Sequence, residues 1–142
     1  AGLTDGAMMA DLARHHTGTR GFDPHLALAP RYPAEQPERT FLYDQISALN
    51  PPAAPTSLGA LLRLRHTEAA TRSRCPALFI AGGRDRLFPL ELVRRAHAKL
   101  PGAELVVVDD AGHSVYFERP EVFNRAVASF LRGLSGPAAD RR

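Results

Sequence analysis

The chain has 142 residues, of which 44% are hydrophobic and 23% are charged, and its formal net charge at pH 7 is +3. This composition is typical of an ordinary globular domain and argues against a disordered or fibrous protein. Because the basic residues are scattered along the chain and Trp is absent, we expect no nucleic-acid-binding surface.

No apolar run approaches the roughly 18 to 20 residues that span a bilayer. The start at Ala1 has neither the basic segment nor the apolar stretch of a signal peptide. The single cysteine, Cys75, excludes an internal disulfide. These features predict a cytoplasmic protein without membrane contact. The chain does not open with Met, which suggests that it starts partway into a longer protein.

The first 75 residues contain most of the prolines and no convincing strand. Hydrophobic periodicity predicts one helix from Thr4 to about His16 and a second from Glu38 to Leu49, separated by an irregular, proline-rich segment over residues 18–37. A third helix is expected to start near Thr56 or Ser57. The second helix carries large apolar side chains on one face, namely Phe41, Leu42, Ile46 and Leu49.

The second half contains two short, continuous apolar runs, near residues 77–81 and 104–108. Continuous runs are typical of strands that are covered on both faces, as in a parallel sheet. A helix is predicted between them, from Pro89 to about Leu100, and a last helix from Pro120. This order predicts parallel strands with a right-handed crossover. Since two such strands do not make a complete sheet, further strands are expected from a missing N-terminal region or a complementing chain.

Polar side chains that could carry chemistry follow both predicted strands. Asp85 lies in the loop after the first strand, and His113 lies in the loop after the second. Ligands of open parallel sheets bind beyond the carboxyl ends of the strands, so these two side chains could meet there. A carboxylate bonded to Nδ1–H would hold an imidazole in the tautomer whose Nε2 can take a proton from a hydroxyl or from water.

Other interpretations of the same residues are open. His113 could be a loop histidine that only bonds backbone, and Asp85 could be an ordinary turn residue. Asp109 and Asp110 are the runner-up acids, although they are better suited to end the strand. The other histidines are dispersed along the chain, so no metal site is expected.

At these residues the sequence resembles the α/β-hydrolase family. The family's Gly-x-x-Asp acid turn is matched by residues 82–85, its Gly-His by residues 112–113, and its downstream Glu-x-Pro by residues 118–120. The resemblance implies an α/β fold, specifically the C-terminal portion of an α/β-hydrolase. Residues 1–75 would then form a helical cap or lid region, residues 76–134 the C-terminal part of the core, and residues 135–142 a flexible tail.

The resemblance also implies an esterase-like, serine-type hydrolase with a catalytic triad, in which His113 is the base and Asp85 orients it. Such an enzyme needs no cofactor and acts on a small molecule, either a small to medium ester or a carbon–carbon bond next to a carbonyl. The family's Gly-x-Ser-x-Gly nucleophile elbow does not occur in these residues, so the chain alone is expected to be inactive.

Two alternatives stay open. One is a non-catalytic binding or interaction subunit with the same fold, and the other is a non-ester member of the epoxide hydrolase or cofactor-free lyase type. Several apolar residues could line a substrate pocket beneath a cap, although core packing explains them equally well: Met8, Met9, Phe22, Phe41, Leu42, Leu58, Leu61 and Leu62.

Overall fold

The computed structural model describes residues 6–17, 25–49 and 75–135, which form helices around a short parallel sheet. In chain order the elements are α1 (Gly6–Thr17), α2 (Tyr32–Glu35), α3 (Pro37–Ala48), β1 (Leu78–Gly82), α4 (Leu90–His97), β2 (Glu104–Val108), α5 (Val115–Glu118) and α6 (Pro120–Ser135). None of the helices in these described ranges is both long and apolar enough to cross a membrane.

The sheet consists, within the described residues, of β1 and β2 paired in parallel, with Leu78 opposite Glu104 and Gly82 opposite Val108. Both predicted strands and their parallel pairing are therefore confirmed, and β1 begins one residue later than predicted. Because the strands run side by side in one direction, the loops after Gly82 and Val108 leave from the same edge of the sheet.

Three buried clusters hold the described residues together. The first cluster lies between the sheet and the C-terminal helices, and it contains Val108, Ala111 and Val115. Val122 and Phe123 of α6 pack against it. Helices α1 and α4 meet in a second cluster, formed by Met8, Leu12 and Leu92. A third cluster joins the segment before α2 to α5, and it contains Leu28, Ala29 and Tyr32 with Tyr43 and Phe117 packed against them.

Helix α3 confirms the second predicted helix but does not bury the apolar face that the sequence pattern marked. Thr40 is buried, and the Tyr43 ring meets the Phe117 ring edge-on with centroids 5.1 Å apart. The large apolar side chains of the marked face are exposed instead: Phe41, Leu42, Ile46 and Leu49. Helical periodicity identifies which residues share a face, but tertiary contacts decide which face is covered.

Two short helices, α2 and α5, were not predicted, and α2 interrupts the segment expected to be irregular. The helix expected near Thr56 or Ser57 lies outside the described residues, as do Phe22, Leu58, Leu61, Leu62 and residues 136–142. The assignment of residues 1–75 to a cap or lid stays a prediction.

Candidate active site

Asp85 is held by the turn that follows β1. The turn is fixed to the neighbouring strand and its loop by hydrogen bonds from the N–H of Gly83 to Val108 O and from the N–H of Arg84 to Ala111 O, at 2.8 Å and 2.9 Å. Oδ1 of Asp85 accepts the N–H groups of the residues two and three positions later, at 2.8 Å and 2.9 Å. This Asx-type arrangement leaves the second oxygen, Oδ2, for a partner outside the turn.

Gly82 brings the end of β1 into direct contact with the loop after β2. A Cβ atom at this position would overlap the carbonyl oxygens of Ala111 and Gly112. Glycine is therefore required here for close approach of two backbone segments rather than for an unusual φ. The contact sets the spacing between the loop that carries Asp85 and the loop that carries His113.

His113 lies in the loop between β2 and α5, and the residues on both sides of it are hydrogen-bonded. The N–H of Gly112 donates to Oε1 of Glu118 at 2.9 Å, and the N–H of Ser114 donates to the carbonyl of Ala27, also at 2.9 Å. Both flanking residues are buried, whereas the His113 side chain is 43% exposed. The loop thus presents an accessible imidazole on a fixed backbone.

The structure brings Asp85 and His113 together, with His113 Nδ1 2.8 Å from Asp85 Oδ2. The Asp85 side chain is only 5% exposed, so its carboxylate is largely shielded from water. The hydrogen bond that His113 donates to Asp85 raises the pKa of His113, and burial of the ring opposes this only in part. The arrangement therefore stabilises an imidazolium and engages Nδ1, leaving Nε2 as the nitrogen for proton transfer.

The ring of Phe88 stacks on the His113 imidazole, with centroids 5.5 Å apart and planes inclined by 29°. The N–H of Phe88 also donates to Asp85 Oδ1, so this residue contacts both members of the pair. Phe88 restricts the orientation of the imidazole as well as that of the carboxylate.

The runner-up acids lie elsewhere. Asp110 accepts hydrogen bonds from the guanidinium of Arg119 at 2.7 Å and 2.9 Å, and this pairing lowers the pKa of Asp110. Asp109 is exposed, and its backbone lies against Gly83. Of the three aspartates that the sequence offered, Asp85 is the one bonded to His113.

A mainly apolar cavity of about 320 Å³ opens beside the pair, and Asp85 and His113 contribute to its wall. The apolar wall includes Met8, Leu12, Phe79, Phe88, Leu92 and Ala96. Of the pocket residues suggested by the sequence, Met8 lines this cavity, whereas Phe41 and Leu42 are exposed on α3.

Sequence reasoning missed two features of the described region. Glu118, known only as part of the Glu-x-Pro pattern, is a buried carboxylate bonded to the backbone next to His113. A second His–Asp pair joins His25 Nε2 to Asp44 Oδ1 at 3.0 Å, and a separation of 19 residues left no pattern that could reveal it. In the ranges that the structure describes, no three His, Cys, Asp or Glu side chains gather as a metal site would require.

Comparison with known proteins supports the fold and its class. Residues 62–142 match the α/β-hydrolase family described as TAP-like protein. Over 128 residues the chain is 33% identical to a pimeloyl-[acyl-carrier protein] methyl ester esterase of Xanthomonas campestris pv. campestris, covering 87% of this chain and 50% of that protein. It is 41% identical over 59 residues to a 2-hydroxy-6-oxononadienedioate/2-hydroxy-6-oxononatrienedioate hydrolase of Burkholderia vietnamiensis, covering 42% of this chain and 20% of that protein.

Among solved structures, a thermophilic esterase from Thermogutta terrifontis superposes with a TM-score of 0.66 and 23% identity, covering 92% of this chain and 52% of that one. The chain thus spans about half the length of this structure and of the Xanthomonas esterase. The chain belongs to the α/β-hydrolase family, and the family and fold predicted from the sequence are confirmed.

Proposed function

We propose that this chain supplies the acid–base part of a serine-type hydrolase, with His113 as general base and Asp85 as the acid that orients it. The observation that carries the proposal is the 2.8 Å hydrogen bond between His113 Nδ1 and Asp85 Oδ2. The two residues follow adjacent parallel strands, where ligands of open α/β sheets bind. Membership of a hydrolase family supports the same assignment.

In the proposed reaction, a serine on a nucleophile elbow attacks the carbonyl carbon of the substrate. That elbow is a motif that these 142 residues do not contain. His113 Nε2 takes the hydroxyl proton as the bond to carbon forms, and Asp85 stabilises the resulting imidazolium. His113 then donates the proton to the leaving group, and water releases the acyl group by the same route. The mechanism uses no cofactor.

The proposed substrate is a small molecule, either a small to medium ester or a carbon–carbon bond next to a carbonyl. The cavity beside the pair is mainly apolar, and its volume of about 320 Å³ fits a compact, uncharged group. The names of two relatives support the ester and the oxo-compound chemistry, since one is a methyl ester esterase and the other is a hydrolase of oxo-acids.

The test is hydrolysis of p-nitrophenyl butyrate by the full-length protein that joins this chain to its nucleophile elbow. We expect His113→Ala to lower kcat by about 10³-fold or more, because no other group would take the serine proton. Asp110→Asn is the matched control, since that carboxylate is bonded to Arg119 and not to His113. Near-normal turnover by His113→Ala would refute the proposed mechanism.

The 142 residues by themselves provide a second test. Without a nucleophile they are expected to show no turnover, and ester hydrolysis that His113→Ala abolishes would contradict a nucleophile outside this sequence. A folded full-length protein that hydrolyses neither an ester in a chain-length series nor a substrate with a carbon–carbon bond next to a carbonyl would instead favour the non-catalytic binding subunit.

A further inference from the structure

Glu118, at the end of α5, is one of the most buried side chains in the described region, with 2% of its surface exposed. Its two carboxylate oxygens accept hydrogen bonds from different parts of the chain. Oε1 accepts the N–H of Gly112 at 2.9 Å, and Oε2 accepts the N–H of Ala29 at 3.0 Å. The carboxylate therefore links the residue immediately before His113 to the segment that precedes α2.

A buried carboxylate is costly to remove from water, and hydrogen bonds to both oxygens offset that cost. Burial raises the pKa of Glu118, and the two backbone N–H groups act in the opposite direction. Three other polar groups of the described region interact electrostatically with the Glu118 carboxylate, namely the side chains of Arg119, Asp110 and Tyr32. Arg119 and Asp110 are paired with each other.

The segment that Glu118 reaches, residues 25–30, is also bonded to both loops of the candidate active site, and we call it the brace. The guanidinium of Arg86, next to Asp85, donates to two carbonyl oxygens of the brace at 2.9 Å and 3.3 Å. The N–H of Ser114, next to His113, donates to a third carbonyl oxygen of the brace, that of Ala27, at 2.9 Å. Both loops therefore take their position partly from the same short segment.

The packing at Gly112 leaves little freedom for the loop. A Cβ atom on Gly112 would overlap backbone atoms of Leu28 and Ala29. Glu118 thus holds Gly112 at backbone contact distance from the brace, with His113 as the next residue. We propose that Glu118 is a positioning residue, which fixes this loop so that the His113 imidazole stays within hydrogen-bond reach of Asp85.

The inference extends the proposed function, but its direct readout does not require activity. That readout is the titration of the His113 imidazole, followed by NMR in the wild type, in Glu118→Gln and in Glu118→Asp. Gln keeps the size but supplies only one acceptor oxygen, and Asp keeps the charge but is too short to reach both amides. In both variants we expect the titration midpoint of His113 to move to lower pH, because a looser bond to Asp85 raises the His113 pKa less.

In the full-length enzyme the same variants should lower kcat/KM for p-nitrophenyl butyrate by roughly 10- to 100-fold, mainly through kcat, because the base is misplaced. Glu121→Gln is the matched control, since it makes the same chemical change at an exposed carboxylate in the first turn of α6. It should leave both the titration and the rate unchanged.

A His113 midpoint that stays at the wild-type value in either folded variant of Glu118 would overturn the inference, even if the melting temperature falls. The two variants disturb the site differently, so one that folds is sufficient for this decision. If the wild type cleaves neither esters nor carbon–carbon bonds next to a carbonyl but the midpoint moves, the positioning role stands and the proposed function fails. If His113 is essential for hydrolysis but its midpoint is unmoved, the proposed function stands and the positioning role fails.

Discussion

Under the proposed function, replacing Asp85 by Asn should inactivate the full-length protein without unfolding it, and the contacts of Asp85 indicate why. The two oxygens of Asp85 have separate partners: Oδ1 accepts the N–H groups of Leu87 and Phe88, and Oδ2 faces Nδ1 of His113. Asn has one acceptor oxygen. If that oxygen keeps the two backbone bonds, the amide NH₂ faces Nδ1 and stabilises the tautomer with its proton on Nε2, which cannot accept the serine proton.

We expect Asp85→Asn to lower kcat by about 10³- to 10⁴-fold, which corresponds to about 4 to 5.5 kcal/mol of transition-state stabilisation. The measurement is kcat for p-nitrophenyl butyrate, with circular dichroism and a thermal melt to verify that the variant is folded. Asp110→Asn again serves as the control. A loss of less than tenfold in a folded Asp85→Asn protein would refute the role assigned to this carboxylate, because the tautomer would then be set by another group.

Two further predictions concern the same loops. The pKa of His113 is raised by its hydrogen bond to Asp85. The acid limb of kcat/KM should therefore lie above the pKa of free histidine and move to lower pH in Asp85→Asn, and a limb that does not move would contradict the coupling. Gly82→Ala should destabilise the protein by about 1 to 3 kcal/mol and reduce kcat, because the added methyl group forces apart the backbone at Gly82 and Gly112. Urea denaturation measures the loss of stability and the ester assay measures the loss of kcat. A variant with wild-type stability and rate would show that the contact is not essential.

Local sequence patterns were sufficient to predict the βαβ unit. The continuous apolar runs predicted β1 and β2, and the structure has both strands within one residue of the expected positions. The pattern is informative because a strand that is covered on both faces needs apolar side chains at every position. Parallel pairing then follows from the helix between them. The meeting of Asp85 and His113 was predictable from the same reasoning, because parallel neighbours deliver their loops to one edge of the sheet.

Tertiary structure decided the features that depend on distant parts of the chain. The buried side of α3 packs against Phe117, which lies far along the sequence, so periodicity alone showed which apolar residues share a face but not which face is covered. The sequence ranked Asp110 only as a runner-up acid, and its pairing with Arg119 became visible in the tertiary structure. Glu118 was visible as part of a motif, but its role could not be predicted, because one of its two partners is Ala29, 89 residues away. Side-chain periodicity reports local burial, whereas the partner of a buried polar group depends on how the chain folds back on itself.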